Sequence, residues 1–423
     1  MKTLIKKHYN SHKETIHNFV WRSLQTFGQG SITFLIFILC AKLLTPYDFG
    51  IYSYVLAMVF FLIMFGDFGI STATSKYVAE YNLTDKNKLK SILFNSAVII
   101  LGLTVLIAIL TLIFGPGYLK EKYIYLLWIL PLIFLVPMTA LYDGVYRGLK
   151  KFRQLAIISI AVGLLSMSFV YILIKNYGLM GALISQNLFY MVLVAALASG
   201  YRDYNLTWNR GVMKEITRYS VLIGISTLGY FLFSRVGIII LGHYNYIEQI
   251  ASYELLNKIF MIALLPFQIL GMIIAPNFTQ DSVRKEHKKI FHKFKRYFVI
   301  FLIIAAVFTI ISYIFLPLII SLFFNKYYNS TLFVMLLPVI LIYALQVYCA
   351  TINTGIVVST GDAGLFSYPN LIAGVLNIIL SLALLKYFGF MGVIYSILTL
   401  TFVMIVVLHS IYYLKLRRLA NLR

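Results

Sequence analysis

The chain has 423 residues, of which 61% are hydrophobic and 12% charged, and a formal net charge of +22. So many long apolar runs exclude a soluble domain, or a soluble core with one anchor, and predict an all-α polytopic membrane protein. The positive charge does not point to nucleic acid, because the basic residues fall in short stretches between the apolar runs. There they act as a topology signal and as an attraction for anionic lipid.

The N-terminal MKTLIKKHYNSHKET is polar and basic. No short apolar run ending in a small-residue cleavage site follows it, so no signal peptide is expected. Twelve spans are then read at 24–45, 51–74, 91–114, 123–143, 155–174, 180–200, 219–241, 251–275, 298–320, 331–351, 364–385 and 391–413. Each is long enough to cross a bilayer with some tilt.

Span 1 opens on Arg22, where a basic residue serves either as an interfacial anchor or as a contact for an anion. Span 2 carries Asp67 between Gly66 and Gly69. At about 1.5 Å of rise per residue, Asp67 stands roughly 25 Å along its helix, still within a hydrocarbon core about 30 Å thick. A carboxylate there faces protein or water, and either gates, couples to an ion, or locks packing through an Arg or helix-end amides.

Cys40 and Cys349 both lie in spans and read as small buried hydrophobes. Residues 201–219 form a long connection after span 6 and divide the chain into six-span halves, 1–205 and 206–423. A repeat crosses that division. YGLMGALIS at 177–185 matches FGFMGVIYS at 388–396, a spacing of 211 residues. Equivalent spans in the same orientation imply a parallel repeat about an axis along the membrane normal.

Span 7 holds Arg235, whose guanidinium keeps its charge and needs an anion, water or carbonyl partners. Pairing with Asp67 and lining a cavity for an anionic ligand are both open. Span 8 begins SYELLNKIF, where Glu254 and Lys258 stand four apart on one face and can pair, with Asn257 beside them. Gln186, Asn187, Gln346, Asn353 and Asn377 add uncharged hydrogen-bonding groups. Alone, each suits an interhelical bond; converging on one cavity, they would suit sugar hydroxyls. The stretch VRKEHKKIFHKFKRYF between spans 8 and 9 reads as an amphipathic helix lying on the basic-side leaflet.

Of the 36 Lys and Arg residues, 28 fall on the side of both termini and 6 on the other, with Arg235 and Lys258 inside spans. The bias predicts both termini in the cytoplasm. The seven histidines are scattered, and His8, His12, His17, His287, His292 and His409 read as terminal, loop or near-surface, with His243 at an outer span end. No phosphate loop, nucleophile elbow or metal-spaced His/Cys set is present, so the chain reads as a non-enzyme with no cofactor and no metal. Any transport would run on an ion gradient, another protein or the substrate's own gradient.

LLTPYDFGIYSYV followed by FGDFGISTATSKYVAEY is similar to the opening of bacterial polysaccharide flippases. These are the Wzx-type lipid-linked oligosaccharide transporters of the multidrug/oligosaccharidyl-lipid/polysaccharide exporter superfamily. RGLKKF after span 4, YGLMGALIS, and LGHYNYIEQIASYELLNKIFMIALLPFQILGMIIAPNF around spans 7 and 8 also resemble that family, so the likeness runs along the whole chain. It implies two six-helix bundles in a V, alternating access, and a substrate of undecaprenyl pyrophosphate bearing an oligosaccharide repeat unit, moved outward across a bacterial cytoplasmic (inner) membrane.

By position, Arg22 and Arg235 match the family's cationic cavity groups. With Asn257, Lys258, Gln186, Gln346 and Asn353 they form the expected substrate contacts, and Asp67 and Glu254 the expected coupling or gating groups. Family members often carry an acid near the place of Arg235, and this chain departs there. A coupling ion, Na+ or H+, is compatible with the resemblance, as are anionic lipids and a polysaccharide polymerase or glycosyltransferases as partners. Two other readings stand beside it: a cation-coupled drug or small-molecule antiporter on the same scaffold, and a non-transporting polysaccharide assembly factor.

Overall fold

The computed structural model describes residues 2–362 and 364–421, with side chains described at 20–353, 355–362 and 369–421. The N-terminal basic residues up to Lys13, together with His8, His12, His17 and Arg423, lie outside the described side chains. Among the described residues the regular structure is entirely helical. Ten helical stretches are long and apolar enough to cross a membrane. Two of these hold more than one crossing, and two sharp turns account for the difference.

The first turn divides Lys86–Ile129, a run of 44 residues. Helix α4 (Lys86–Leu119) ends where Lys120 takes φ +50°, and α5 (Tyr123–Ile129) starts back. A Cβ on Gly115 would lie 2.5 Å from the Tyr123 ring, which places the two arms against each other. Helix α5 and α6 (Leu132–Gly148) together make the fourth crossing.

The second turn divides α7 (Phe152–Gly200), which reverses at Gly178, φ +52° and ψ −129°. The reversal is tight, since a Cβ on Gly181 would sit 2.0 Å from the Leu173 carbonyl oxygen. At the far ends of the two arms, Gln154 donates to the Gly200 carbonyl at 3.3 Å. The same turn recurs between α14 (Gly364–Phe388) and α15 (Met391–Asn421), where Gly389 has φ +56° and a Cβ on Gly392 would sit 2.4 Å from the Leu384 carbonyl carbon. The sequence repeat is therefore a repeated turn. Left-handed backbone and backbone-to-backbone approach both select glycine.

The chain forms two compact units: Met1–Leu44 with Val55–Thr227, and Thr45–Tyr54 with Leu228–Arg423. Each carries six crossings. In the first, α1 (Lys2–Leu43) lies along α7, and α3 (Ile70–Thr84) packs on α4 and α6. Its core gathers at the end bearing the basic loops, around Ile70, Val78, Ile92, Leu141, Val145 and Leu155. Burial first, and then the Glu215 carboxylate, push the Tyr81 phenol above its ordinary value, so it stays protonated and donates to Glu215. The connection after α7 is tied down rather than loose: Asn95 donates to the Thr207 carbonyl at 2.9 Å and accepts from the Asn209 amide at 3.0 Å.

In the second unit the segment Thr45–Tyr54, which opens α2 (Pro46–Asp67), is built into the core. Phe49 is fully buried, its ring edge-on to Tyr327 at 5.8 Å. Helix α12 (His287–Phe323) is continuous, so the basic stretch expected to lie flat on the leaflet is instead the first turns of span 9. The physical reason is that its apolar face has protein to bury against. Ile290 and Phe294 pack with Phe278, Tyr348 and Tyr412. The middle of α12 and of α4 faces outward with apolar side chains, as at Ile303, Ile310, Leu106 and Ile113, which is a lipid-facing surface.

Candidate functional site

The second unit holds a broken helix around Arg235. Helix α8 (Arg210–Ser234) stops, Arg235 takes φ −127° and ψ −20°, and α9 (Val236–His243) resumes. A break in a membrane span frees backbone carbonyls that need donors. Asn377 supplies them, donating to Leu232 at 3.2 Å and Phe233 at 3.0 Å, while its own oxygen accepts from Ser396 at 2.7 Å.

The guanidinium of Arg235 donates to Glu254 of α10 (Ile247–Ala263) at 2.8 Å. Glu254 also accepts from Asn257 at 3.0 Å, and Tyr343 donates to Asn257 at 3.1 Å. The network is buried, with Glu254 only 5% exposed. Beside the expected neighbour within α10, Lys258, Glu254 thus has a partner from another helix. Lys258 stands one turn on and adds a second positive charge to the surroundings of Glu254. The carboxylate on Arg235 is thus Glu254 rather than the suggested Asp67.

A cavity of about 490 Å³ opens in the same unit. Its polar lining includes Gln268, Gln346, Asn353, Asn370 and His409, with Ser234 from the end of α8, and none of the described residues that line it is Asp, Glu, Lys or Arg. Gln346 sits on α13 (Ser330–Ile352), and Asn353 opens a π-helical turn, Asn353–Val358, that continues it. Such turns widen a helix and recur at functional sites. The sequence reading placed His409 near the surface. It is 5% exposed, its Nε2 lies 2.9 Å from the Asn353 side-chain oxygen, and its ring meets Tyr348 edge-on. Its place near the end of the last span concealed this, because α15 runs on well past the membrane-length stretch.

In the first unit, Asp67 ends α2, Phe68 and Gly69 take positive φ, and α3 begins. The Asp67 carboxylate accepts from the Ser71 amide and the Ser71 hydroxyl, each at 2.9 Å. It serves the exposed amides of a restarted helix, one of the options its setting left open. Arg22 donates to Gln25 and lies 3.7 Å from Asp143, which in turn is 2.6 Å from Arg147. Sequence reading missed Asp143; its signal was a carboxylate at the end of span 4, one helical turn before an arginine. Gln186 is half-buried in this unit, and Asn187 donates to the Trp128 carbonyl at 2.6 Å. Of the expected substrate contacts, Gln346 and Asn353 converge on one cavity, Asn257 and Lys258 belong to the Arg235 neighbourhood, and Arg22 and Gln186 lie in the first unit.

Two units of six crossings, broken helices whose freed backbone is served by side chains, and a cavity within one unit that carries amide side chains define a multi-pass helical membrane protein. The fold matches that of a multidrug resistance MATE family transporter of the MOP superfamily, in its inward-facing conformation, with a TM-score of 0.74 at 17% identity, over 95% of this chain and 96% of the other. The lipid II flippase MurJ matches at 0.73 with 16% identity, over 95% and 91%. The chain belongs to the polysaccharide biosynthesis protein family, whose profile matches residues 16–282. Two uncharacterized membrane proteins of Methanocaldococcus jannaschii are similar as well. One is 25% identical over 85% of this chain and 89% of its own length, the other 20% identical over 90% and 81%.

Proposed function

We propose that the protein is a flippase that carries a lipid-linked oligosaccharide repeat unit from the cytoplasmic to the outer leaflet for surface polysaccharide biosynthesis, by alternating access. The observation that carries this reading is the cavity beside the broken span 7. Its amides and histidine offer donors and acceptors without fixed charge. Sugar hydroxyls match such a lining, whereas an organic cation calls for carboxylates. Membership of the polysaccharide biosynthesis family supports the same substrate class.

In this proposal the carrier lipid is a polyprenyl pyrophosphate whose chain stays in the bilayer. In the first unit the Arg22 and Arg147 pair, which shares the carboxylate of Asp143, has the chemistry to meet a phosphate. The protein sits in a cytoplasmic membrane with both termini inside, as the charge bias supports. A Na+ or H+ gradient drives it without a cofactor, and a polymerase or glycosyltransferases act next to it.

The test is reconstitution in proteoliposomes with a lipid-linked oligosaccharide, with outer-leaflet exposure read by a membrane-impermeant glycan-modifying enzyme, with and without ion gradients. Protein-dependent exposure that falls in Gln346→Leu and Asn353→Leu is the expected result. No exposure with several glycans, together with gradient-driven efflux of an organic cation, would replace this reading with the antiporter.

A further inference from the structure

On the second unit a groove of about 760 Å³ runs between α12, α13 and α15. Its walls are apolar, with Phe298, Val299, Leu302, Phe402 and Val406 among them, and several of these are about half exposed. One charged residue lines it, Lys295, at the end nearest the basic loops. The neighbouring lysines are committed: Lys289 and Lys293 both pair with Asp281, at 2.9 and 2.5 Å. Among the described residues Lys295 meets aromatic faces instead, Phe291 at 4.6 Å and Tyr413 at 6.0 Å. Its ammonium is therefore available to an anion.

The groove's length narrows the choice of occupant. On α12 it extends from Lys295 to Ala305, about 15 Å at 1.5 Å per residue. That is half of a hydrocarbon core about 30 Å thick, the depth of one leaflet. Tyr348 lines the groove one helical turn inward from Lys295, against Phe298 at 5.6 Å. Its hydroxyl is buried and has no hydrogen-bond partner among the described residues. A cation at headgroup level and a leaflet-deep apolar channel are complementary, in that order, to a phosphodiester and an acyl chain.

We infer that this groove is a site for an anionic phospholipid of the leaflet on the basic side, with its phosphate at Lys295 and one acyl chain along α12. A polyprenyl chain is far longer than the groove, which separates this site from the carrier lipid of the proposed substrate. The first unit offers an internal contrast. Its own groove of about 600 Å³, lined by Leu62, Phe65, Leu103, Leu106 and their neighbours, has no charged residue among the described ones that line it. It offers a lipid no headgroup contact of that kind.

Native mass spectrometry of the full-length protein, released from nanodiscs of phosphatidylglycerol and phosphatidylcholine with identical chains, tests the inference without any transport assay. The wild type is expected to retain phosphatidylglycerol several-fold over phosphatidylcholine. Lys295→Gln should bring the two to parity, and Leu302→Trp, on the lipid-facing wall, should lower retention of both. Lys288→Gln, exposed on the same helix outside the groove, and Leu106→Trp, in the first unit's groove, should leave the preference intact.

A preference that survives Lys295→Gln, retention that Leu302→Trp leaves unchanged, or a preference that falls as far in Lys288→Gln overturns the site. So does one-for-one displacement of phosphatidylglycerol by a polyprenyl phosphate, which would hand the groove to the substrate. Thermal melts of each variant confirm that the fold is retained.

Discussion

Nη1 of Arg235 and Oε1 of Glu254 lie 2.8 Å apart, so the arginine at the break in span 7 is neutralised by a carboxylate from the next span. Removing the arginine takes from the buried Glu254 its bonded counter-charge and leaves Lys258 as a nearby cation, at a cost of up to about 3–5 kcal/mol. Arg235→Ala is therefore expected to lower stability by that order in a denaturant titration of the detergent-solubilised protein. Replacing both residues by Met should recover most of the loss. If the double variant is no more stable than Arg235→Ala, the pair is not what holds this break.

The repeated interhelical turn gives a paired prediction. Gly181→Ala forces a Cβ to 2.0 Å from the Leu173 carbonyl oxygen, and Gly392→Ala forces one to 2.4 Å from the Leu384 carbonyl carbon. Both should sharply reduce the yield of folded protein by size-exclusion chromatography. Gly102→Ala, with open space around its Cβ, should behave as wild type. Gly178→Ala, strained only by its backbone at φ +52° and ψ −129°, should fold with a loss of about 1–3 kcal/mol.

Asp67 accepts from both the amide and the hydroxyl of Ser71. Asparagine serves a helix start about as well as aspartate, and loss of such a group costs about 0.5–2 kcal/mol. Asp67→Asn should keep the melting temperature of the wild type, and Asp67→Leu should lower it. Equal destabilisation by both would show that the charge, rather than the hydrogen bonding, is what Asp67 contributes to stability.

Within the polar cavity, replacing Gln346 or Gln268 by Leu removes a donor and an acceptor while keeping most of the volume. A lost ligand hydrogen bond is worth about 1–2 kcal/mol, which corresponds to a fall of about 5–30-fold in glycan-lipid affinity. Binding of a lipid-linked oligosaccharide in detergent, measured by microscale thermophoresis, checks this. Ser199→Ala, at an exposed position of the first unit, should leave affinity unchanged.

How much of this was readable beforehand depended on the range of each interaction. The crossings and the turn at Gly178 and Gly389 are written locally, in hydropathy and in a matched stretch, and the structure follows them. The partner of Arg235 is not local. Sequence spacing finds Lys258, one turn from Glu254 and acting on it electrostatically, but not Arg235, 19 positions earlier, which bonds Glu254 from another helix. His409 and Asn353 meet across 56 residues, so neither announces the other. The lie of the basic stretch after span 8 was misread because periodicity shows that a helix has an apolar face, but not whether lipid or protein covers it.

The ten residues Thr45–Tyr54 bear on how such a chain can be made. They are encoded in the first half, yet Phe49 and Tyr54 are buried in the second unit, and a Cβ on Gly50 would lie 2.1 Å from the Ile247 carbonyl oxygen. A gene cut in the connection after α7 would yield a C-terminal piece with an empty slot in its own interior, filled only when the other piece is present. The two halves repeat one another as folds, but as polypeptides they are not interchangeable modules. On the ribosome, the second unit inherits a strip of core synthesised well before any of its other residues.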